Sequence, residues 1–310
     1  MRPTTALRQL LAGDDTIVAP GVYDGLSARL AVRAGFAAVY ATGGGIARSF
    51  GYPDLGLLSM SEVAAHLVLI VEHAAVPVIA DADTGYGNAL NVHRAVRAFE
   101  RAGVAALHLE DQVSPKRCGH LDDKAVVPVA EMVQKLHAAR DVLEDGEFVL
   151  IARTDALAVE GLDHAIERAH AYAEAGADVI FVEAPESLAQ IEAIAHRLPY
   201  PKLINMFQGG KTPVVELSLL RELGYRIVII PSDLQRAAIR AMDDVLAAIR
   251  RDGNSAAVAD RMASFTEREE IVGTASYLAR DRRYATEAQK TERQRPSGAD
   301  GAAHPVDLRG

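Results

Sequence analysis

Carboxylates recur in this chain at the ends of short apolar runs. Asp81 and Asp83 close one run, Glu110 and Asp111 close the next, and Glu183 closes a later one. Bunched carboxylates repel one another unless a cation or protons compensate. A hard divalent cation is the simplest compensation, and carboxylate ligands favour Mg²⁺, or Mn²⁺ as a substitute, over Zn²⁺. The pattern therefore predicts a metal site, the alternative being a structural role for each carboxylate as a cap or loop residue.

A glycine run and a cationic loop add two further candidate features. The run is Thr42-Gly43-Gly44-Gly45, whose backbone N–H groups could hold a carboxylate or phosphate; a flexible loop is the alternative. In the loop, Cys118 lies among Lys116, Arg117 and His120, with Gly119 as a candidate hinge. Positive neighbours favour the thiolate and make this cysteine a candidate proton donor or acceptor. An inert surface thiol is the alternative.

The elements that would position these residues are repeated β/α units. Eight short β-branched runs are each followed by a longer alanine-rich amphipathic segment, which is typical of parallel strands joined by helices. The runs span residues 16–19, 37–42, 77–83, 106–111, 148–155, 179–183, 202–206 and 226–231. We therefore predict a (β/α)₈ barrel of the TIM type, rather than an open doubly wound sheet, with its site at the strand C-terminal ends. Asp81 and Asp83, two positions apart, would then share one face of a strand.

The C-terminal part exceeds what a barrel needs. Helical spacing predicts helices over 130–144, 162–175, 234–250, 256–265 and 267–280, with Gly176 as a C-cap. We expect one barrel domain over residues 1–290, with extra helices from about 253 that pack on a neighbouring subunit. The polar, Pro- and Gly-containing tail over 291–310 is predicted to be disordered.

Composition narrows the function classes. The formal net charge of −9 and the pI near 5.6 argue against a nucleic-acid partner, because binding phosphate backbones needs a basic surface. A single cysteine excludes an intramolecular disulfide framework. Neither a signal-peptide core nor a run of 18 apolar residues is present, so we expect a cytoplasmic protein without a membrane span.

Several motifs resemble those of the isocitrate lyase/phosphoenolpyruvate mutase superfamily. PKRCGH (115–120) is similar to the superfamily signature, and the resemblance runs from about Val18 to Arg250. The other matching segments are YATGGG (40–45), YPDLG (52–56), DADTGYGN (81–88), HLEDQ (108–112), ARTDALAVEGLDHAIERA (152–169) and GGKTP (209–213). The resemblance implies a barrel enzyme that depends on Mg²⁺ and assembles as a homotetramer, with C-terminal helices swapped between paired subunits.

The resemblance also implies roles for individual residues. The implied metal ligands, some acting through water, are Asp81, Asp83 and Glu110. The implied catalytic residues are Cys118, Tyr40, Arg153 and His120. The implied substrate-binding residues are Thr42, Gly43, Gly44, Asp54, Lys116, Arg117, Gly119, Glu183, Asn205 and Arg236. Cys118 would protonate the leaving carbanion, and Tyr40 would handle the substrate hydroxyl proton.

The expected reaction is retro-aldol cleavage of a 2-hydroxy di- or tricarboxylic acid, of the 2-methylisocitrate or dimethylmalate type, to a 2-oxoacid such as pyruvate and a carboxylic acid. The alternatives are a carboxyphosphonoenolpyruvate phosphonomutase, an oxaloacetate decarboxylase or hydrolase and, outside enzymes, a metabolite-binding regulatory barrel. Tyr40 favours the lyase, because mutase-like sequences carry histidine there. Two departures bear on substrate identity: Gln208 replaces the glutamate usual in KTP-type relatives, and Asp233 replaces a serine favoured in methylisocitrate lyases.

Overall fold

The computed structural model describes residues 1–117, 119 and 123–294, with side chains described as far as residue 290. Its centre is a closed barrel of eight parallel strands in sequential order. The strands are β1 (Ile17–Val22), β2 (Val39–Ala41), β3 (Val78–Asp81), β4 (Ala106–Glu110), β5 (Val149–Thr154), β6 (Val179–Val182), β7 (Lys202–Asn205) and β8 (Tyr225–Ile230). Pairing of β1 with β8, from Ile17 opposite Ile227 to Pro20 opposite Ile230, closes the ring. The predicted barrel is confirmed.

Helices make up most of the remaining described chain. They are α1 (Pro3–Ala12), α2 (Gly25–Arg33), α3 (Gly43–Ser49), α4 (Met60–Ala74), α5 (Ala89–Ala102), α6 (Val129–Val142), α7 (Ala156–Val159), α8 (Leu162–Glu174), α9 (Leu188–Arg197), α10 (Leu217–Glu222), α11 (Asp233–Asp252), α12 (Phe265–Val272) and α13 (Thr274–Gln294), with a 3₁₀ helix at Ala256–Arg261. None of those in the described ranges combines the length and hydrophobicity that a bilayer-spanning segment requires.

Two layers of apolar side chains form the core. Inside the barrel, buried residues such as Ile79, Ile151 and Phe181 pack as a filled centre. Between the strands and the helices, a second layer includes Leu107 and Phe99. Filling of the barrel interior is normal for this fold, so only the ends of the strands remain available for a site.

Some local predictions are wrong. Strand β3 stops at Asp81, and Asp83 lies beyond it with a left-handed φ of 47°, so these residues do not share a strand face. The glycines after β2 are the first turn of α3 rather than a loop, because Thr42 caps a helix there. The single helix predicted over 267–280 is interrupted by Gly273, whose φ of 76° ends α12.

The C-terminal region forms a compact unit of its own. The first unit covers Met1–Val258, and the second begins at Ala259. In the second unit, α12 has a Ser264 N-cap that accepts from the backbone N–H of Glu267. The helix α13 continues to Gln294, four residues past the predicted end of the ordered domain at 290. Exchange of these helices between subunits stays a prediction.

Candidate active site

A cavity of about 290 Å³ collects most of the residues singled out from the sequence. The predicted residues that line it are Tyr40, Thr42, Gly44, Asp54, Asp81, Lys116, Gly119, Arg153, Glu183, Asn205 and Arg236. They come from the C-terminal ends of several strands and from the segments that follow, where this fold builds its active sites. The volume is close to the lower end of the range for small-molecule sites, which suits a compact organic acid.

The other predicted residues lie elsewhere. Gly43 and Asp83 line a smaller neighbouring cavity together with Asp81. The guanidinium of Arg117 lies 3.6 Å from Asp123, and about half of its side chain is exposed (49%). It does not line the cavity, and its role in substrate binding stays a prediction. Cys118 and His120 lie outside the described residues.

Asp81 is the centre of a hydrogen-bond network at the end of β3. Its Oδ2 accepts from the Tyr40 hydroxyl (3.2 Å) and from the backbone N–H of Gly43 (3.3 Å). Its Oδ1 accepts from the backbone N–H of Asp83 (3.0 Å). Because each bond fixes a different lone-pair direction, the carboxylate has one defined orientation toward the cavity.

His108, which the sequence analysis did not single out, completes this network. Its Nε2 lies 2.8 Å from the Tyr40 hydroxyl and 3.5 Å from Oδ1 of Asp81, and the ring is fully buried. Burial lowers the pKa of His108 and raises that of Tyr40 well above its ordinary value. Burial also works to raise the pKa of Asp81, but His108, Lys116 and Arg153 outweigh it and hold this pKa below its usual range. At neutral pH the protein alone therefore presents an ionised Asp81 beside a protonated Tyr40.

Lys116 places a cation between two carboxylates. Its Nζ pairs with Asp54 and lies 2.8 Å from Oδ1 of Asp83. Burial raises the pKa of Asp83 to about 6; Lys116 opposes this rise, and Asp81 adds to it. Asp54 and Asp83 are 11% and 17% exposed, so this ion pair is partly shielded from water. Lys116 thus neutralises part of the acidic cluster.

Arg153, at the end of β5, is held by three carboxylates. Its Nε lies 2.9 Å from Oδ2 of Asp155 and 3.7 Å from Glu183, and its Nη1 lies 3.2 Å from Glu110. Lys124 reaches the same Asp155 at 2.8 Å. Burial works to raise the pKa of Asp155, but the two cations lower it to about 2. Asp155 therefore joins Arg153 to the segment that carries Lys124.

Gly119 packs directly against this arginine. A Cβ at position 119 would lie 2.4 Å from Nη2 of Arg153 and 2.7 Å from Cγ of Glu183. The Gly119 carbonyl accepts from Nζ of Lys124 at 2.6 Å. Glycine is required here by close approach, because any side chain would occupy the space of the arginine.

The glycine run offers fewer free donors than the sequence suggests. The N–H of Gly43 is bonded to Asp81, and that of Gly45 donates to Oγ1 of Thr42 (3.3 Å). Gly44 lies in the lining of the cavity. The run therefore brings backbone close to the cavity, but most of its donors serve to fix α3 and Asp81.

Asn205 and Arg236 also line the cavity. Nδ2 of Asn205 donates to Oε1 of Glu183 (3.2 Å) at the end of β7. Arg236, on α11, lies 3.3 Å from Asp233 and donates to the carbonyl of Gln208. Of the two departures noted in the sequence, only Asp233 contacts Arg236 through its side chain, because the contact at 208 is made by the backbone.

The carboxylate oxygens of Asp81, Asp83 and Glu110 are suitable ligands for Mg²⁺. Within the described ranges, no three acidic, histidine or cysteine groups lie close enough to enclose a metal by themselves. Mg²⁺ needs only one or two direct carboxylates, because it keeps several waters. Beside the ionised Asp81, the buried Oε1 of Glu110 has no hydrogen-bond partner among the described residues. Burial raises the pKa of Glu110 well above its usual range although Arg153 and Lys116 oppose this rise, so a proton or a further cation would stabilise this carboxyl.

Behind the cavity, buried Asp111 supports the ends of β4 and β5. Its carboxylate accepts from the hydroxyls of Thr154 (2.7 Å) and Tyr172 (2.8 Å) and from the N–H of Asp155 (2.9 Å). Arg168 lies 3.4 Å away. Asp111 and Asp155 end the predicted runs over 106–111 and 148–155, so the sequence indicated both as acids at strand ends. No spacing pattern indicated a role for Lys124 or His108.

Comparison with known proteins identifies the family. A family model for phosphoenolpyruvate phosphomutase matches residues 7–250. The chain belongs to the isocitrate lyase/phosphoenolpyruvate mutase superfamily. This superfamily member is 45% identical to 2,3-dimethylmalate lyase of Eubacterium barkeri, covering 92% of this chain and 99% of the relative. It is also 45% identical to 2-methylisocitrate lyase of Aeropyrum pernix, covering 93% of each.

A solved structure adds a ligand to the comparison. The superfamily member matches phosphonopyruvate hydrolase in complex with oxalate and Mg²⁺, with a TM-score of 0.84, 33% identity and coverage of 92% of this chain and all of the other. Since the relatives at 45% identity are named lyases and are matched over nearly their whole length, this superfamily member is an enzyme of the lyase type.

Proposed function

We propose that this enzyme is a Mg²⁺-dependent lyase that cleaves a carbon–carbon bond of a 2-hydroxy di- or tricarboxylic acid. The products are a 2-oxoacid, such as pyruvate, and a carboxylic acid. One observation carries the proposal. An ionised Asp81, held in one orientation, lies beside the protonated hydroxyl of Tyr40 and near Glu110, whose buried oxygens have no hydrogen-bond partner among the described residues. The full-length similarity to dimethylmalate and methylisocitrate lyases supports the substrate class.

Asp81 and Asp83 would hold Mg²⁺, with Glu110 reached partly through water. When bound, the ion supplies positive charge to the substrate oxygen that becomes the carbonyl of the 2-oxoacid. The cation at Lys116 would be released from Asp83 to face the substrate. Arg153, fixed by Asp155, orients the substrate with its remaining N–H donors.

In the reaction, a base, either Tyr40 or a water in the cavity, takes the hydroxyl proton, the bond between C2 and C3 breaks, and its electron pair stays on C3 as a carboxylate-stabilised carbanion. A proton then reaches C3. Burial raises the pKa of Tyr40 well above its ordinary value, so in the protein alone Tyr40 keeps its proton and the water is favoured as the base; the role of Tyr40 in handling the hydroxyl proton stays a prediction. Cys118 stays our proposed donor to C3, on the resemblance alone.

Direct assay tests the proposal. The purified enzyme with Mg²⁺ is incubated with 2-methylisocitrate, 2,3-dimethylmalate, isocitrate and oxaloacetate, and release of 2-oxoacid is followed. We expect release from one of the first two acids, its loss with EDTA and its return with Mg²⁺. No release from any hydroxy acid in Mg²⁺ would refute the lyase. Release from oxaloacetate alone would favour the hydrolase or decarboxylase.

A phosphonomutase is the second candidate, because the matching family model is that of phosphoenolpyruvate phosphomutase. Its reaction rearranges a phosphorus–carbon bond and frees no 2-oxoacid from a hydroxy acid. Phosphorus NMR of the enzyme with phosphonopyruvate distinguishes the two: conversion to a phosphate ester supports the mutase, and an unchanged spectrum supports the lyase.

We propose further that the enzyme assembles from copies of itself, a tetramer being our expectation. One face of α11 exposes Met242, Leu246 and Ile249 (56%, 62% and 44%), and exposed apolar stripes of this kind mark association surfaces. Light scattering after gel filtration should give a mass above that of one chain, reduced by Leu246→Asp. A monomeric wild type would refute this proposal. A cytoplasmic location stays a prediction.

A further inference from the structure

Four cationic side chains line the cavity, and three are committed to carboxylates. The four are Arg48, Lys116, Arg153 and Arg236. As described above, Lys116 lies between two aspartates, Arg153 is bound to Asp155, and Arg236 pairs with Asp233. Within the described part of the chain, the guanidinium of Arg48 has neither a hydrogen bond nor an ion pair. It is therefore the uncommitted positive charge of the described lining.

Arg48 lies where it can meet a bound anion. It belongs to α3, the helix that begins with the glycine run. Its Nη1 lies 2.8 Å from the place where a Cβ on Gly44 would be, and Oδ2 of Asp54 lies 2.7 Å from the same place. The absence of a side chain at Gly44 thus leaves room for the guanidinium against the backbone. Asp54 forms its ion pair with Lys116, and within the described residues no hydrogen bond or ion pair joins it to Arg48.

We propose that Arg48 determines specificity by binding a third carboxylate of the substrate, so that the enzyme prefers a tricarboxylic over a dicarboxylic 2-hydroxy acid. This inference rests on the proposed lyase function. The carboxylate next to the reacting hydroxyl would go to the metal, and the N–H donors of Arg153 that do not bind Asp155 would hold a second. A guanidinium without a partner adds a charge-assisted, bidentate site for one more.

The first test compares two substrates. In Arg48→Gln, we expect kcat/KM for 2-methylisocitrate to fall by at least about tenfold, mainly through KM, because the contact is made equally in ground and transition states. For 2,3-dimethylmalate we expect a fall of less than about threefold. Arg94→Gln, an exposed change on α5 outside the cavity lining, is the matched control and should leave both values unchanged. Equal losses on both substrates, or none, would overturn the proposal.

The second test is independent of turnover. Calorimetry with Mg²⁺ measures binding of oxalate, glutarate and tricarballylate, which are not cleaved. In the wild type, tricarballylate should bind more tightly than glutarate; Arg48→Gln should weaken it about tenfold and leave oxalate unchanged. If the wild type binds these acids as expected but cleaves no hydroxy acid, the lyase function fails and the role of Arg48 stands. If it shows no preference for tricarballylate, the role of Arg48 fails.

Discussion

Gly119→Ala tests whether close packing on Arg153 sets the geometry of the site. The new Cβ would lie 2.4 Å from Nη2 of Arg153, and ordinary contact begins at about 3.4 Å, so the two must separate by about 1 Å. The arginine cannot yield easily, because it is buried and paired with Asp155 and Glu110. A misplacement of about 1 Å costs about a hundredfold in rate, or about 2.7 kcal/mol in the barrier.

The assay for Gly119→Ala is kcat/KM for release of 2-oxoacid at saturating Mg²⁺, together with a thermal melt. We expect the hundredfold loss with a melting midpoint within about 2 °C of the wild type, because Gly119 lines the cavity and belongs to neither layer of the apolar core. Gly146→Ala is the control, since a Cβ there meets nothing within 4 Å. Activity of Gly119→Ala within threefold of that of Gly146→Ala would show that the contact with Arg153 does not govern the site.

Three further perturbations probe the same assembly. Asp81→Asn should weaken Mn²⁺ binding, measured by electron paramagnetic resonance, at least about tenfold; unchanged binding would remove Asp81 from the metal site. Lys124→Met should lower kcat by about tenfold or more while oxalate binding persists, since the ammonium that joins Asp155 to the Gly119 carbonyl is lost; an unchanged kcat would contradict this link. Asp111→Asn should lower the free energy of unfolding by about 3 kcal/mol in urea, because one of the two carboxylate oxygens becomes an amide NH₂ that cannot accept from the buried donors, and a change below about 0.5 kcal/mol would contradict this account.

The sequence was sufficient for the barrel because its signal is periodic. Eight apolar runs separated by helical segments leave few other parallel architectures, and each predicted run contains or overlaps a strand. The same periodicity placed Glu110 and Arg153 at neighbouring strand ends, where they meet at 3.2 Å. The polar residues at the strand ends can therefore be predicted from the sequence.

Local turns and long-range ion pairs were not readable. The left-handed φ of Asp83 depends on the turn after β3. Aspartate adopts this conformation as well as others, so the residue type alone does not predict it. Lys124 meets Asp155 across 31 positions of sequence, and no spacing rule connects them. Arg48 faces the cavity only because Thr42 starts a helix, which a glycine run argues against.

The pairing of Lys116 with Asp54 and Asp83 bears on how the protein folds before it binds a metal ion. If only magnesium offset the repulsion between these carboxylates, newly synthesised chains could not fold this pocket where the ion is scarce. Here a tethered ammonium group supplies the compensating charge from within. Folding of the site can therefore precede binding of the proposed ion.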